Sequence, residues 1–436
     1  MAHPGRKTTF PERLEIGERW AAGESDPTIA KAMDRPVGTV RKWRRRYQRY
    51  GRAGLTSDRG RPATGALGQF PQAVRDAIVE MRQANSGWGP GTLLAELQQK
   101  PCFAGRSLPS RARIAAFLHQ KGLTRPYERH SELPAPPAPT EVHAHTEWEV
   151  DAQGVMQVPG LGAVSVINVG DPVSHLKVAS LACVHTVHPS TEDYYIILRR
   201  AFVTYGLPER ISLDHDKVFY DSSSASPYPM ILHLWLVALG IGVRFIQRPP
   251  PAEHSFIERM HQTITRQAID GQTFTEPRAL QQRLAERIDF LNQHLPCRTL
   301  NNQPPLVAFP EARCTPRPYR LEWEEALLDL ERVYQYLAQG RWFRRVSTQG
   351  QFCLGRQRYR VGKAWAGQTL EITFDVHTRT LDCRAEDGHL VTTLSVKGLT
   401  KADLMGELSP LMSVPVYQLA LPLSPAVWRE MVIADE

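Results

Sequence analysis

The sequence predicts a multi-domain α/β protein, with helical modules at the N-terminus, a mixed α/β core in the middle and a small all-β module near the C-terminus. Three observations carry this prediction. Apolar residues recur at helical spacing from Phe10 to Leu118. Strand and helix patterns then alternate from Thr146 to about residue 300. Short alternating strands set off by glycines follow, from Phe352 to Leu394. With 436 residues, the chain is long enough for about three domains with cores of their own.

The first predicted helix covers residues 10–22 (Leu14, Ile16, Trp20) and stops at Gly23. Asp26 is expected to cap a short second helix carrying Ile29, Ala30 and Met33. After the Arg35-Pro36-Val37-Gly38 turn, a third helix runs from Thr39 to Tyr50, giving a helix-turn-helix layout. Val40, Trp43 and Tyr47 share the buried face, which leaves Arg41, Lys42, Arg45, Arg46 and Arg49 pointing outward as candidate DNA contacts. The Gly/Arg linker that follows contains Arg59-Gly60-Arg61-Pro62, where Arg59 and Arg61 can reach into a minor groove or simply follow a phosphate backbone. The first domain is therefore set at residues 1–66.

A second helical module is expected at residues 67–140, including a Pro-rich linker at 131–140. Val74, Ile78 and Met81 form one stripe, Trp88-Gly89-Pro90 opens a helix with Leu93, Leu94 and Leu97, and Ser110 caps another with Ile114, Phe117 and Leu118. The net charge of +8 favours a polyanionic partner. A hydrophobic fraction of 42% with no apolar run of about eighteen residues argues against a membrane span. Nothing at Met1–Lys7 reads as a signal core, so a cytoplasmic location is expected. The six cysteines are scattered, with no Cys-x-x-Cys pair, which points away from a disulfide framework or a zinc knuckle.

Three carboxylates mark the core. Asp151 closes the strand pattern Trp148-Glu149-Val150, Asp214 follows the buried strand Arg210–Leu213, and Glu258 opens an amphipathic helix after Pro249-Pro250-Pro251. Taken singly, each is more often a turn or cap residue, and Glu253 could cap the same helix as Glu258. Taken together, two strand-end acids and one helical acid can hold a pair of hard divalent cations. Arg259, His261 and Arg266 lie on the polar side of that helix, as phosphate contacts or as merely solvated groups.

These residues resemble the catalytic core of the DDE transposase and integrase superfamily. Ser212–Phe219 is similar to its Asp-Asn-Gly-x-x-Phe segment, with His215-Asp216 in place of Asn-Gly. Pro249–His261 is similar to its Pro-x-x-x-x-Gly-x-x-Glu-Arg-x-His segment, and Asp171-Pro172-Val173-Ser174-His175 to its Asp-x-x-Ser-Arg turn. The Trp-Gly-Pro module resembles the second helix-turn-helix domain of bacterial insertion-sequence transposases.

The resemblance implies a ribonuclease-H-like core at residues 141–300, a mixed sheet flanked by helices. Asp151, Asp214 and Glu258 would be its catalytic and metal-holding residues, with two Mg²⁺ (or Mn²⁺) ions per site. It further implies a nucleoid-associated prokaryotic transposase acting as a homo-multimer on element ends and target double-stranded DNA, and it leaves room for a helper ATPase. A family member that kept the fold without catalysis, as a repressor or end-binding subunit, is the alternative. A connecting helix at 301–332, a small β-barrel at 333–400 and a tail at 401–436 complete the expected layout. The barrel resembles the C-terminal one of bacterial transposases.

Overall fold

The computed structural model describes residues 8–56, 65–124, 143–184, 188–214, 217–221, 225–246 and 255–406. It contains two compact units, Met1–Gln69 and Phe70–Glu436. The Pro-rich linker, Arg59, Arg61, His215, Asp216, Glu253 and residues 407–436 lie outside the described residues.

In the first unit, Thr9 and Glu12 form a reciprocal capping box at the start of α1 (Phe10–Ala21), satisfying two backbone donors there. Ser25, not Asp26, caps α2 (Asp26–Ala32). Asp26 takes the first helical position, where it pairs with Arg44 at 2.8 Å and Arg41 at 3.6 Å. The third helix, α3 (Val37–Tyr50), starts two residues earlier than expected, immediately after Pro36. Ile16, Ile29, Val40, Trp43 and Leu55 form the core. The Tyr47 ring lies so close to α1 that a Cβ at Gly17 would overlap it.

The second unit begins with α4 (Gln72–Ala84), α5 (Pro90–Gln99) and α6 (Arg111–Gln120), the last capped by Ser110. A hairpin and its neighbour follow: β1 (Glu147–Val158), β2 (Gly162–Gly170) and β3 (Lys177–Cys183). Next come α7 (Thr191–Tyr205), β4 (Arg210–Leu213), the two-residue strands β5 (Tyr220–Asp221) and β6 (Tyr228–Pro229), α8 (Ile231–Ala238) and β7 (Gly242–Phe245). Two more helices close the core, α9 (Ser255–Ile264) and α10 (Pro277–Gln293). The main sheet has the order β3-β2-β1-β4-β7, with the first three strands antiparallel and β4 and β7 parallel to β1. Alternation along β1 sends Trp148 and Val150 to the face covered by α7 and α8. Helices α9 and α10 pack on the opposite face, where Ile257, Met260, Ile264, Leu280 and Leu284 meet Val164 and Val166. A mixed sheet in this order, with helices on both faces, is the ribonuclease-H-like arrangement.

Asp171 is fully buried and structural. Its carboxylate accepts from Val173 N–H, from Ser174 Oγ–H and from the backbone of His145, tying the β2–β3 turn to the start of β1. After α10 the chain does not form one connecting helix. The prolines at 304, 305, 310, 316 and 318 confine that stretch to one short α-helix, α11 (Pro305–Ala308), and beyond them an extended Leu328 and the capping Asp329 separate α12 (Glu324–Leu327) from α13 (Leu330–Ala338). The C-terminal module pairs β8 (Arg341–Arg345) with β11 (Thr369–Asp375), β12 (Thr380–Arg384) and β13 (Leu390–Ser395) in one antiparallel sheet. A separate hairpin, β9 (Gln351–Leu354) and β10 (Gln357–Arg360), packs beside it, and α14 (Lys401–Met405) follows. Trp342, Phe352, Leu370 and Ile372 belong to the same continuous core as Trp148 and Phe202.

Candidate active site and DNA-reading helix

The parallel ladder between β1 and β4 ends on the pair Val150–Leu213. Asp151 and Asp214 are the next residues on each strand, so two carboxylates leave adjoining strands, which lie roughly 4.8 Å apart, at the same level. Both are half-buried. Helix α9 crosses β1 and β2 on the Asp151 side of the sheet. Its His261 Nε2 lies 3.9 Å from Asp151 Oδ2, and its second residue packs so tightly on β2 that a Cβ at Gly170 would overlap the Phe256 ring. Glu258 stands between these anchors, three residues before His261, with an exposed side chain. The three expected acids therefore come from neighbouring elements at one end of the sheet. Among the described residues, no three His, Cys, Asp or Glu side chains are gathered closely enough to hold one ion. The donors at Asp151 and Asp214 suit a hard cation, but they do not make a closed cage.

Sequence reading passed over two residues on the same face of β1. Glu147, Glu149 and Asp151 alternate along the strand, so all three leave it on the α9 side. Glu147 is held by Arg210 at 2.7 Å, by Arg244 at 2.6 Å and by the Ser212 hydroxyl. Burial would raise its carboxyl, but these donors keep it below the ordinary value. Glu149 is only 5% exposed and accepts the Ile257 N–H at 3.1 Å, satisfying one of the free donors in the first turn of α9. Burial pushes the Glu149 carboxyl up to about 8, against the pull of that N–H. The polar side of the strand pattern held the signal, since every second residue from 147 to 151 is acidic.

The Glu149 shift has a defined sign. An acid whose folded pKa is raised binds its proton more tightly in the folded chain. Its contribution to stability is complete below about 4.5 and is lost as pH rises through about 8. Glu149→Gln, which keeps a neutral acceptor for Ile257, should flatten the fall in melting temperature between these limits. Thermal melts across the range check this, and an unchanged slope would remove Glu149 as its source.

In the first unit, Arg41, Lys42, Arg45 and Arg49 on α3 are exposed and Arg46 is half-buried. Lys42 and Arg46 lie over the Trp43 ring at 5.0 and 5.3 Å, and Arg49 over Tyr50 at 5.3 Å. Stacking restricts these long side chains beforehand, so less freedom would be lost on meeting an anionic partner. On α9 and the turn after it, Arg259 and Arg266 are exposed, whereas His261 is buried towards Asp151. No helix among the described residues is long and apolar enough to cross a membrane.

Two family models, each of a homeodomain-like domain, match the chain at residues 7–56 and 39–118. Among solved structures, a chain of the simian T-cell lymphotropic virus intasome in complex with the PP2A regulatory subunit B56 gamma is 12% identical. It matches over 49% of this chain and 68% of its own, with a TM-score of 0.28. The catalytic core domain of BIV integrase is also 12% identical, over 38% of this chain and 95% of its own, with a TM-score of 0.26. The chain carries homeodomain-like helix-turn-helix domains ahead of a core with the ribonuclease-H-like strand order.

Proposed function

We propose that the protein is a DDE-type DNA transposase. It binds the ends of a mobile element, hydrolyses phosphodiesters there and joins the freed 3′-hydroxyls to target DNA. The observation that carries this reading is the placement of Asp151 and Asp214 as the first residues beyond a shared parallel ladder, with Asp151 against the helix of Glu258. In this reading Asp151, Asp214 and Glu258 would together hold two Mg²⁺ or Mn²⁺ ions. Such ions supply Lewis acidity for in-line attack on a phosphodiester and charge stabilisation for the leaving oxygen. Arg259 and Arg266 hold DNA phosphates beside the acids, and His261 orients the Asp151 carboxylate. The α3 arginines and Lys42, together with Arg59 and Arg61, read the element end. Residues 1–66 and 67–140 are the reader domains, 141–300 the catalytic core, 301–332 a connector, 333–400 a further basic module and 401–436 a tail. Two ends must be joined in one event while each chain carries a single set of acids, so the active species is a multimer assembled on DNA.

The reading is tested by incubating the purified chain with labelled element ends, target DNA and Mg²⁺ or Mn²⁺. Strand-transfer products are expected. End binding with no cleavage under either metal would leave the protein a DNA-binding repressor or end-binding subunit.

A further inference from the structure

A Pro-rich linker at residues 131–140 would let the helical module Phe70–Leu123 stand apart from the core as a second reader. Instead its loop between α4 and α5 is built onto the backbone that continues α9. Beyond Ile264 the helix widens into a π turn, Thr265–Ile269, in which Asp270 N–H reaches back to Thr265 C=O at 2.9 Å. Such a turn leaves carbonyls out of the α pattern. One of them, on Gln267, accepts the indole N–H of Trp88 at 3.0 Å. The Gln267 side chain donates to Thr92 at 2.9 Å and accepts from Arg287 at 2.8 Å. Arg287 also reaches Glu96 at 2.5 Å and lies 4.3 Å over the Trp88 ring. Gly87 approaches the Arg266 carbonyl so closely that a Cβ there would overlap it. From the other side, Gln153 on β1 donates to Thr265 at 3.0 Å. The π turn is thus gripped between the sheet and the module, and Trp88 is only 5% exposed.

We propose that this module is a splint for the third acid. Trp88 and Gly87 fix the π turn, the π turn fixes the far end of α9, and α9 sets where Glu258 stands relative to Asp151. Trp88 is a positioning residue, since it acts through Gln267 and touches none of the acids. The proposal rests on the reading of Glu258 as the third acid. It goes beyond that reading by making the helical module part of the catalytic body.

The test uses the full-length chain and two readouts. Hydrogen exchange of the amides at 255–270 is followed without DNA or metal in Trp88→Phe, which keeps the ring but loses the donor, and in Gly87→Val, which wedges the contact open. Exchange there should accelerate about fivefold or more, the worth of one hydrogen bond, while the amides of β1 to β3 stay protected. Cleavage turnover at saturating DNA should fall in both variants. Unchanged exchange in both variants would overturn the proposal, and so would faster exchange with unchanged turnover. Full activity of Glu258→Gln would instead overturn the underlying reading, to which the exchange experiment is blind.

Discussion

Asp151→Asn, Asp214→Asn and Glu258→Gln are each expected to abolish DNA cleavage while leaving the binding of element ends within about twofold. Each change keeps the shape of the side chain and removes the negative charge that would hold a cation. Lewis-acid stabilisation at such sites is worth several kcal/mol, so the loss should be about a thousandfold or more. Binding should survive because the exposed cations of α3 belong to a different compact unit from the acids. Cleavage of labelled ends and gel-shift titration, measured side by side, separate the two effects. If Glu258→Gln cut normally, the third carboxylate would have to come from elsewhere, with Glu253 next in line. If all three cut normally, the adjoining strand-end acids would be turn residues and nothing more.

The second large effect concerns stability. Arg199 on α7 and Glu324 on α12 are 2% and 0% exposed and share two hydrogen bonds, of 2.9 and 2.6 Å. Glu324 also accepts from Trp235 at 2.9 Å and from the Tyr319 hydroxyl, and Arg199 donates to the Met405 carbonyl at 2.6 Å. Glu324→Ala leaves a guanidinium buried without its counter-charge, which costs about 3–5 kcal/mol. Arg199→Met leaves the carboxylate in the same position and should cost a similar amount. The double variant Arg199→Met with Glu324→Leu should recover much of the loss, because it removes the charge as well as the partner. Urea unfolding followed by tryptophan fluorescence, to which Trp235 reports directly, measures all three. Equal losses in the single and double variants would mean that packing volume, not charge, governs this site.

Much of the architecture was legible because it rests on local rules. Val40 and Trp43 at helical spacing placed α3, and the apolar runs at Trp148–Val150 and Ile211–Leu213 placed the two strands that present Asp151 and Asp214. Single-residue caps were less secure. Ser25 and Asp26 are both good caps by type, and only the observed pairing of Asp26 with Arg44 and Arg41 separates their roles. The segment from 301 to 332 has leucines at helical spacing near its end, but prolines break its first half and an extended Leu328, followed by the capping Asp329, divides the leucine stretch in two. The docking of Trp88 was not legible, because Trp-Gly-Pro reads locally as a helix start. Its partner carbonyl lies 179 residues away, in a turn whose widening no spacing rule anticipates. Glu149 could have been found by attending to the polar side of β1 as closely as to its apolar side.

The continuous core that runs from Trp148 through Trp235 to Trp342, Ile372 and Leu404 has a consequence for modularity. Domains strung like beads can be trimmed, swapped or grafted singly, because each keeps its own interior. Here the C-terminal strands share an interior with the central sheet, so a truncation near residue 340 would strip one wall from the other. Shuffling of such a chain during evolution, or by an engineer, has to move everything from Ala144 to Met405 together. The boundary after Gln69, where the chain divides into two compact units, is a point at which a foreign N-terminal domain can be attached without reopening that interior.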